Sequence, residues 1–146
     1  HLIEVQLEDL VLGILLLDVA GDDIKLPAAK FDARIEINAR LLREALKDAS
    51  LFSSSVVMRT KGERFVLESK GSGGTLNVNS SHNNGVRVKS KADVVSKYSL
   101  SYFQNIVKEA DPESTIVLEL RSDSPVKASY MIGKSEIRYY LAHMLL

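Results

Sequence analysis

A chain of 146 residues with 45% apolar side chains can bury one real core, and its length favours a single domain over two crowded ones. Nineteen basic and nineteen acidic residues cancel, which excludes a global field for nucleic acid and leaves local segregation of charge as the only electrostatic route to it. With no cysteine there is neither a disulfide framework nor a thiolate metal site, as fits an intracellular protein.

The chain opens on His1-Leu2-Ile3-Glu4, without Met and without a basic, Ser-rich or signal-like leader, and is expected to be a piece of a longer protein. Its longest apolar stretch, Leu10 to Leu17, is bounded by Asp9 and Asp18 and is less than half the ~20 residues a membrane-spanning helix needs, so no membrane anchor is expected. From Phe31, Phe-x-Ala-x-Ile-x-Ile alternates as a half-buried strand does, and Asn38 offers a side-chain oxygen to cap a helix over Ala39 to Ser50. Ser53-Ser54-Ser55 ends that segment. Short β-rich runs then follow at Val56 to Arg59, Arg64 to Glu68 and Thr75 to Ser80, with Lys61-Gly62-Glu63 and Gly71-Ser72-Gly73-Gly74 at hairpin spacing.

After His82-Asn83-Asn84-Gly85 the same order returns. An extended segment runs to about Tyr98, a helix covers about Leu100 to Ala110, and Asp111-Pro112 stops it. Strands are predicted at Thr115 to Leu120, Val126 to Met131 and Glu136 to Leu141. The unit strand, helix, three strands therefore occurs twice. Such a pseudo-repeat points to an α+β fold in which both helices cover one face of an antiparallel sheet.

The helices carry the functional signal. At 100° per residue, Leu41, Leu42, Ala45, Leu46 and Ala49 share one side of the first helix, while Arg40, Arg43 and Lys47 fall within about 60° of each other opposite them. Glu44 borders this basic stripe. In the second helix Leu100, Phe103, Ile106, Val107 and Ala110 form the apolar side; Ser101, Gln104, Asn105 and Lys108 form the other. Flexible cations among small amides and hydroxyls suit weak phosphate contact without base reading. Surface helices commonly carry charge, so the stripe alone does not decide the matter.

Three stretches add a resemblance. Leu41-Leu42-Arg43-Glu44-Ala45-Leu46-Lys47-Asp48-Ala49-Ser50-Leu51, Tyr98-Ser99-Leu100-Ser101-Tyr102-Phe103 and Ile137-Arg138-Tyr139-Tyr140-Leu141-Ala142 resemble, in order and spacing, the second half of the archaeal and eukaryotic sliding clamps of the proliferating cell nuclear antigen family. The resemblance implies a DNA-clamp domain of two β-α-β-β-β units over residues 31–146, preceded over residues 1–30 by the end of a first domain and an interdomain connecting loop. In that loop Leu12-Gly13-Ile14 resembles the family's Leu-Gly-Ile, and Lys25-Leu26-Pro27 its return to the second domain.

What the resemblance implies about function is a processivity factor, not an enzyme, that encircles duplex DNA. By position, Arg40, Arg43, Lys47 and Lys108 would face DNA; Ser101 stands where some relatives carry a basic residue. A partner-peptide groove would be formed by Leu12 and Ile14 with Pro125, Tyr140, Leu141 and Ala142, and His143 stands where the family has proline. Leu76, Val78 and Ser80 would lie at the subunit interface of a homo- or heterotrimeric ring. The implied partners are duplex DNA, DNA polymerase, flap endonuclease, DNA ligase, the clamp loader and other clamp subunits, in the nucleus or in an archaeal cytoplasm and nucleoid.

Other chemistries find little support. His1, His82 and His143 have no partners at metal-ligand spacing. Gly71-Ser72-Gly73-Gly74 lacks a following Lys-Ser/Thr pair or helix and reads as a turn. Asp22-Asp23, with Glu4, Glu8 and Asp9, is a commonplace of solvated linkers, and no nucleophile, base and orienting group occur together. No cofactor or metal is expected. The rival reading is a stand-alone β-rich scaffold domain without a DNA role, for which neutralising Arg40, Arg43 and Lys47 would leave every activity intact.

Overall fold

The computed structural model describes residues 2–7, 10–15, 30–71, 74–80 and 85–146. In chain order the described elements are β1 (Leu2–Leu7), β2 (Leu10–Leu15), β3 (Ala33–Asn38), α1 (Ala39–Ser50), β4 (Ser55–Lys61), β5 (Arg64–Gly71) and β6 (Gly74–Ser80). They continue with β7 (Val86–Ser90), β8 (Val94–Ser99), α2 (Leu100–Val107), β9 (Thr115–Leu120), β10 (Val126–Ile132) and β11 (Ser135–Leu141).

The strands form two antiparallel sheets, one in the order β2-β1-β11-β10-β9-β3-β7 and one in the order β6-β5-β4-β8. The sequence pattern gave a single sheet; the α+β class stands, with two sheets in its place. The helices pack against each other and against strands of both sheets: α1 meets β3, β4, β5 and β6, and α2 meets β4, β8 and β11. Along β3, Ala33, Ile35 and Ile37 point into the core while Arg34 and Glu36 stay at the surface, which is the period-two division an amphipathic strand makes.

Helix α1 matches its sequence expectation at both ends. Asn38 is the N-cap, its side-chain oxygen accepting from the Leu41 amide at 3.2 Å. The other early amides of α1 find carbonyls on a distant turn: Ala39 N donates to Ser114 O at 2.9 Å and Arg40 N to Pro112 O at 3.3 Å. At the opposite end, buried Ser69 donates its hydroxyl to the Ala49 carbonyl at 2.8 Å. The donors and acceptors that a helix leaves unpaired at its ends are thus taken up by the rest of the fold.

The apolar faces predicted for both helices are the buried ones, except that Leu41 is only half-buried at the margin of the core. Leu42, Ala45, Leu46 and Ala49 of α1 and Leu100, Phe103, Ile106 and Val107 of α2 belong to one continuous core with β3, β4, β5, β7, β8, β9 and β10. Each fully buried large aliphatic or aromatic side chain contributes about 1.5–3 kcal/mol of transfer free energy. Two tyrosines tie this core to the backbone. The Tyr98 hydroxyl donates to Ser124 O at 2.8 Å, and the Tyr130 hydroxyl donates to Ile106 O at 2.7 Å. Burial pushes the Tyr98 phenol up to about 12 and raises that of Tyr130 further, so both remain neutral donors.

Three departures from the sequence pattern have identifiable causes. The extended segment before Tyr98 is two strands, because the chain changes sheets at Lys91-Ala92-Asp93: β7 pairs with β3, and β8 pairs with β4. Lys91 N donates to Asp32 O at 2.7 Å and Val94 N to Thr60 Oγ1 at 3.2 Å, fixing the crossing. Helix α2 stops at Val107, not Ala110; the turn beyond it closes with Ala110 N on Val107 O at 3.2 Å and still buries Ala110. Residues 2–7 and 10–15, within the stretch expected to hold the end of a first domain and a connecting loop and for which no strand was assigned, form two paired strands, and β1 adds to the edge of β11 with Leu2 opposite Tyr140. An unpaired strand edge offers the backbone groups that such an addition needs.

The β5–β6 connection follows the hairpin reading, since the register pairs Gly71 with Gly74. A Cβ at Gly71 would lie 1.6 Å from the Phe52 carbonyl oxygen. Only glycine fits there, because the backbone that leaves α1 passes directly against the hairpin.

Candidate nucleic-acid interface

The core-facing sides of α1 and α2 fix what their other sides present. On α1 the exposed residues are Arg40, Glu44, Lys47, Asp48 and Ser50, with Arg43 half-buried; on α2 they are Ser101, Tyr102 and Asn105, continued by Lys108 and Glu109 just past its end. The start of α1 lies against the end of α2, as two contacts show. Arg40 pairs through Nη2 with the Glu113 carboxylate, and Arg43 Nη1 donates to the Lys108 carbonyl at 3.1 Å. Arg43 thereby satisfies a carbonyl at the C-terminal end of α2, where a cation is favoured by the helix dipole.

The four cations picked out in the sequence are thus gathered on adjoining helices, but they are not equivalent. Arg40 and Arg43 are engaged with the α2–β9 turn and the end of α2. Lys47 and Lys108 have no ion pair within 4 Å among the described residues and are exposed. Glu113 is the residue that sequence reasoning missed. Asp111-Pro112 marked the end of the helix, but nothing in the local pattern announced that the turn folds back onto α1.

That turn is well defined. Ser114 N donates to Asp111 O at 2.9 Å, the Ser114 hydroxyl to the same carbonyl at 2.6 Å, and Glu113 N to Asp111 Oδ1 at 2.8 Å. With Pro112 and Ser114 also accepting from the first turn of α1, Glu113 is delivered to Arg40 by backbone geometry.

A second group of cations lies on the seven-stranded sheet. Lys30, Arg34, Lys89 and Lys91 line a cleft together with Asp32 and Glu119. Part of this charge is paired: Arg34 pairs with Glu36 and Glu119, Arg87 with Glu36, and Lys127 with Glu119. Lys30, Lys89 and Lys91 are in no ion pair among the described residues, so both surfaces carry unpaired lysines; those of the sheet lie beside a network of ion pairs, and those of the helices beside exposed amides and hydroxyls.

The other residues singled out in the sequence are placed as follows. Tyr140 is half-buried, Pro125 is half-buried, Ala142 is exposed, and Leu141 is 2% exposed within the core, opposite Val126. Leu12 and Ile14 lie on β2, and Leu76, Val78 and Ser80 on β6; their side chains are outside the described residues. Lys25-Leu26-Pro27 and Asp22-Asp23 also lie outside them, as does His82. His143 is half-buried, with its Nδ1 enclosed and without a hydrogen-bond partner among the described residues. The strand β6 ends its sheet, with β5 as its neighbour. Among the described residues no cluster of His, Cys, Asp and Glu has metal-binding geometry, and no helix is long and apolar enough to cross a membrane.

Two antiparallel sheets backed by a pair of helices whose free surface holds two unpaired lysines define a clamp-type α+β domain. The family model for the proliferating cell nuclear antigen C-terminal domain matches residues 25–144, and the chain belongs to that family. It is 28% identical over 135 residues to the protein named DNA polymerase sliding clamp of Methanococcus vannielii, covering 89% of this chain and 54% of that relative. Its fold is similar to that of PCNA from Thermococcus kodakaraensis, with a TM-score of 0.78 at 19% identity over 92% of this chain and 56% of the other. It is also similar to A. fulgidus PCNA in a structure with the C-terminal region of FEN-1 bound, with a TM-score of 0.74 at 20% identity over 98% and 60% of the two chains. The chain spans about half the length of the curated relatives it matches.

Proposed function

We propose that this chain is the C-terminal half of an intracellular sliding-clamp subunit, a processivity factor that encircles duplex DNA and holds replication and repair enzymes on it without catalysis of its own. Residues 31–146 are the clamp domain in this reading, and residues 1–30 bring the chain from a first domain. The observation that carries it is the free surface of α1 and α2, where Lys47 and Lys108 stand unpaired on a family domain of this kind.

A ring held on DNA by closure slides only if no single contact is strong. Lysines meet that need, since an ammonium on a flexible stem follows phosphates as a point charge and imposes no bidentate geometry. The helix surface carries no residue committed to base edges, so attraction comes from counterion release and is indifferent to sequence. Ring closure would use the end strand β6 with Leu76, Val78 and Ser80. Partner tails such as those of polymerase, flap endonuclease, ligase and clamp loader would dock near Leu12, Ile14, Pro125, Tyr140 and Ala142. Leu141, packed in the core, would support the floor of that site. The FEN-1 segment on A. fulgidus PCNA supports this choice of partner chemistry.

Titrating the chain with short duplexes of unrelated sequence, at several salt concentrations, tests the reading. The expected result is equal affinity for all of them and a log–log salt slope of roughly −2, one counterion for each free lysine. A strong preference for one sequence, or binding insensitive to salt, would contradict it.

A further inference from the structure

The proposed duplex-facing surface carries its own antagonist. Arg40 projects from the first turn of α1 beside Lys47, where the helical repeat puts both on the solvent side. Its guanidinium is nonetheless bound to Glu113, which belongs to the turn between α2 and β9. This pairing is built and not incidental, because the turn is pinned to α1 by the Ala39 and Arg40 amides on Ser114 O and Pro112 O and is closed internally on Asp111. Glu113 also lies at the start of a helix whose own first turn has no acidic residue, where the partial positive charge of the unpaired amides favours a carboxylate.

Resting on the DNA-facing reading above, we propose that Glu113 is an electrostatic brake: it withholds Arg40 from the phosphates, so that Lys47 and Lys108 alone set the grip of this half of the clamp. Both partners are well exposed, with side chains 59% and 78% accessible. Such a pair resists a competing anion only weakly. The brake therefore lowers affinity a few-fold and does not abolish it, which is the size of effect that keeps a sliding contact loose. The remaining acidic groups near this surface, Glu44 and Asp48 on α1 and Glu109 and Asp111 beyond α2, are in no ion pair among the described residues. They reduce the local potential without occupying a cation.

The test compares Glu113→Gln with Glu44→Gln in the intact chain, each titrated with a short duplex over a range of salt. Loss of any carboxylate near the surface raises affinity slightly; release of Arg40 adds a phosphate contact as well. Glu113→Gln is expected to bind about two- to fivefold more tightly than the parent and to steepen the salt slope by about 0.9. Glu44→Gln is expected to gain less and keep the parent slope. In an Arg40→Gln background the advantage of Glu113→Gln over Glu44→Gln should vanish. Equal gains and an unchanged slope for both single variants, with the parent binding duplex normally, would overturn the brake and leave the duplex-facing surface intact. No binding by the parent or by either variant would overturn both.

Discussion

Phe103→Ala is expected to destabilise the domain by about 3–5 kcal/mol. Phe103 is fully buried at the centre of α2, and its ring meets that of Tyr98 edge to face, with centroids 6.0 Å apart and planes at 70°. Truncation removes the transfer free energy of a phenyl ring, that edge-to-face contact, and the packing of the walls around the cavity it leaves. Against a total stability of about 5–15 kcal/mol for a domain of this kind, the loss is a large fraction. Urea unfolding followed by circular dichroism should show a lower midpoint at an unchanged slope. Asn105→Ala, two positions along and exposed, should move the midpoint by no more than about 0.5 kcal/mol. Equal effects from the two would place the core elsewhere.

Lys47→Glu combined with Lys108→Glu is expected to weaken duplex binding by roughly 30-fold or more near physiological salt. Each lysine–phosphate contact releases about 0.9 counterion, which is worth roughly a factor of five at that ionic strength, and reversal adds repulsion to the two lost contacts. Stability should change little, because both side chains are exposed and in no ion pair among the described residues. The control is Lys89→Glu with Lys91→Glu, the same change of net charge on β7 and just past its end. If the charge of the whole molecule governed binding, the two double variants would behave alike. The helix surface predicts a large loss for the first and a small one for the second, read by fluorescence anisotropy of a labelled duplex.

Much of the fold was legible because its signals are local. Asn38 before an apolar stripe gave the start of α1, Ser53-Ser54-Ser55 marked its end, and strict alternation gave β3. The glycine turns placed the hairpins. The division into two sheets was not legible, since β7 and β8 read as one extended run; what separates them is pairing with β3 and β4, set by residues fifty or so positions away in places. Residues 1–30 were read from the resemblance as the end of a first domain and a connecting loop, and the place of β1 beside β11, with β2 beyond it, depends on an open edge that no local pattern reveals.

The candidate surface was legible as a list of cations but not as a set of states. Helical spacing put Arg40, Arg43 and Lys47 together, yet it could not separate the arginines, which are engaged by Glu113 and the Lys108 carbonyl, from the lysines, which are free. Those partners come from a turn more than sixty residues further along. Leu141 shows the same limit from the other side. The resemblance would set it in a docking groove, whereas the pleat of β11 turns its side chain into the core and leaves Tyr140 on the opposite face.

The most direct measurement is a chemical-shift map of the labelled chain titrated with a short duplex at low salt. The perturbed amides are expected to lie along α1 and α2, centred on Lys47 and Lys108, and the shifts to reverse when salt is raised. Perturbations centred instead on Lys30, Lys89 and Lys91, with α1 and α2 unaffected, would contradict the duplex-facing reading of the helices.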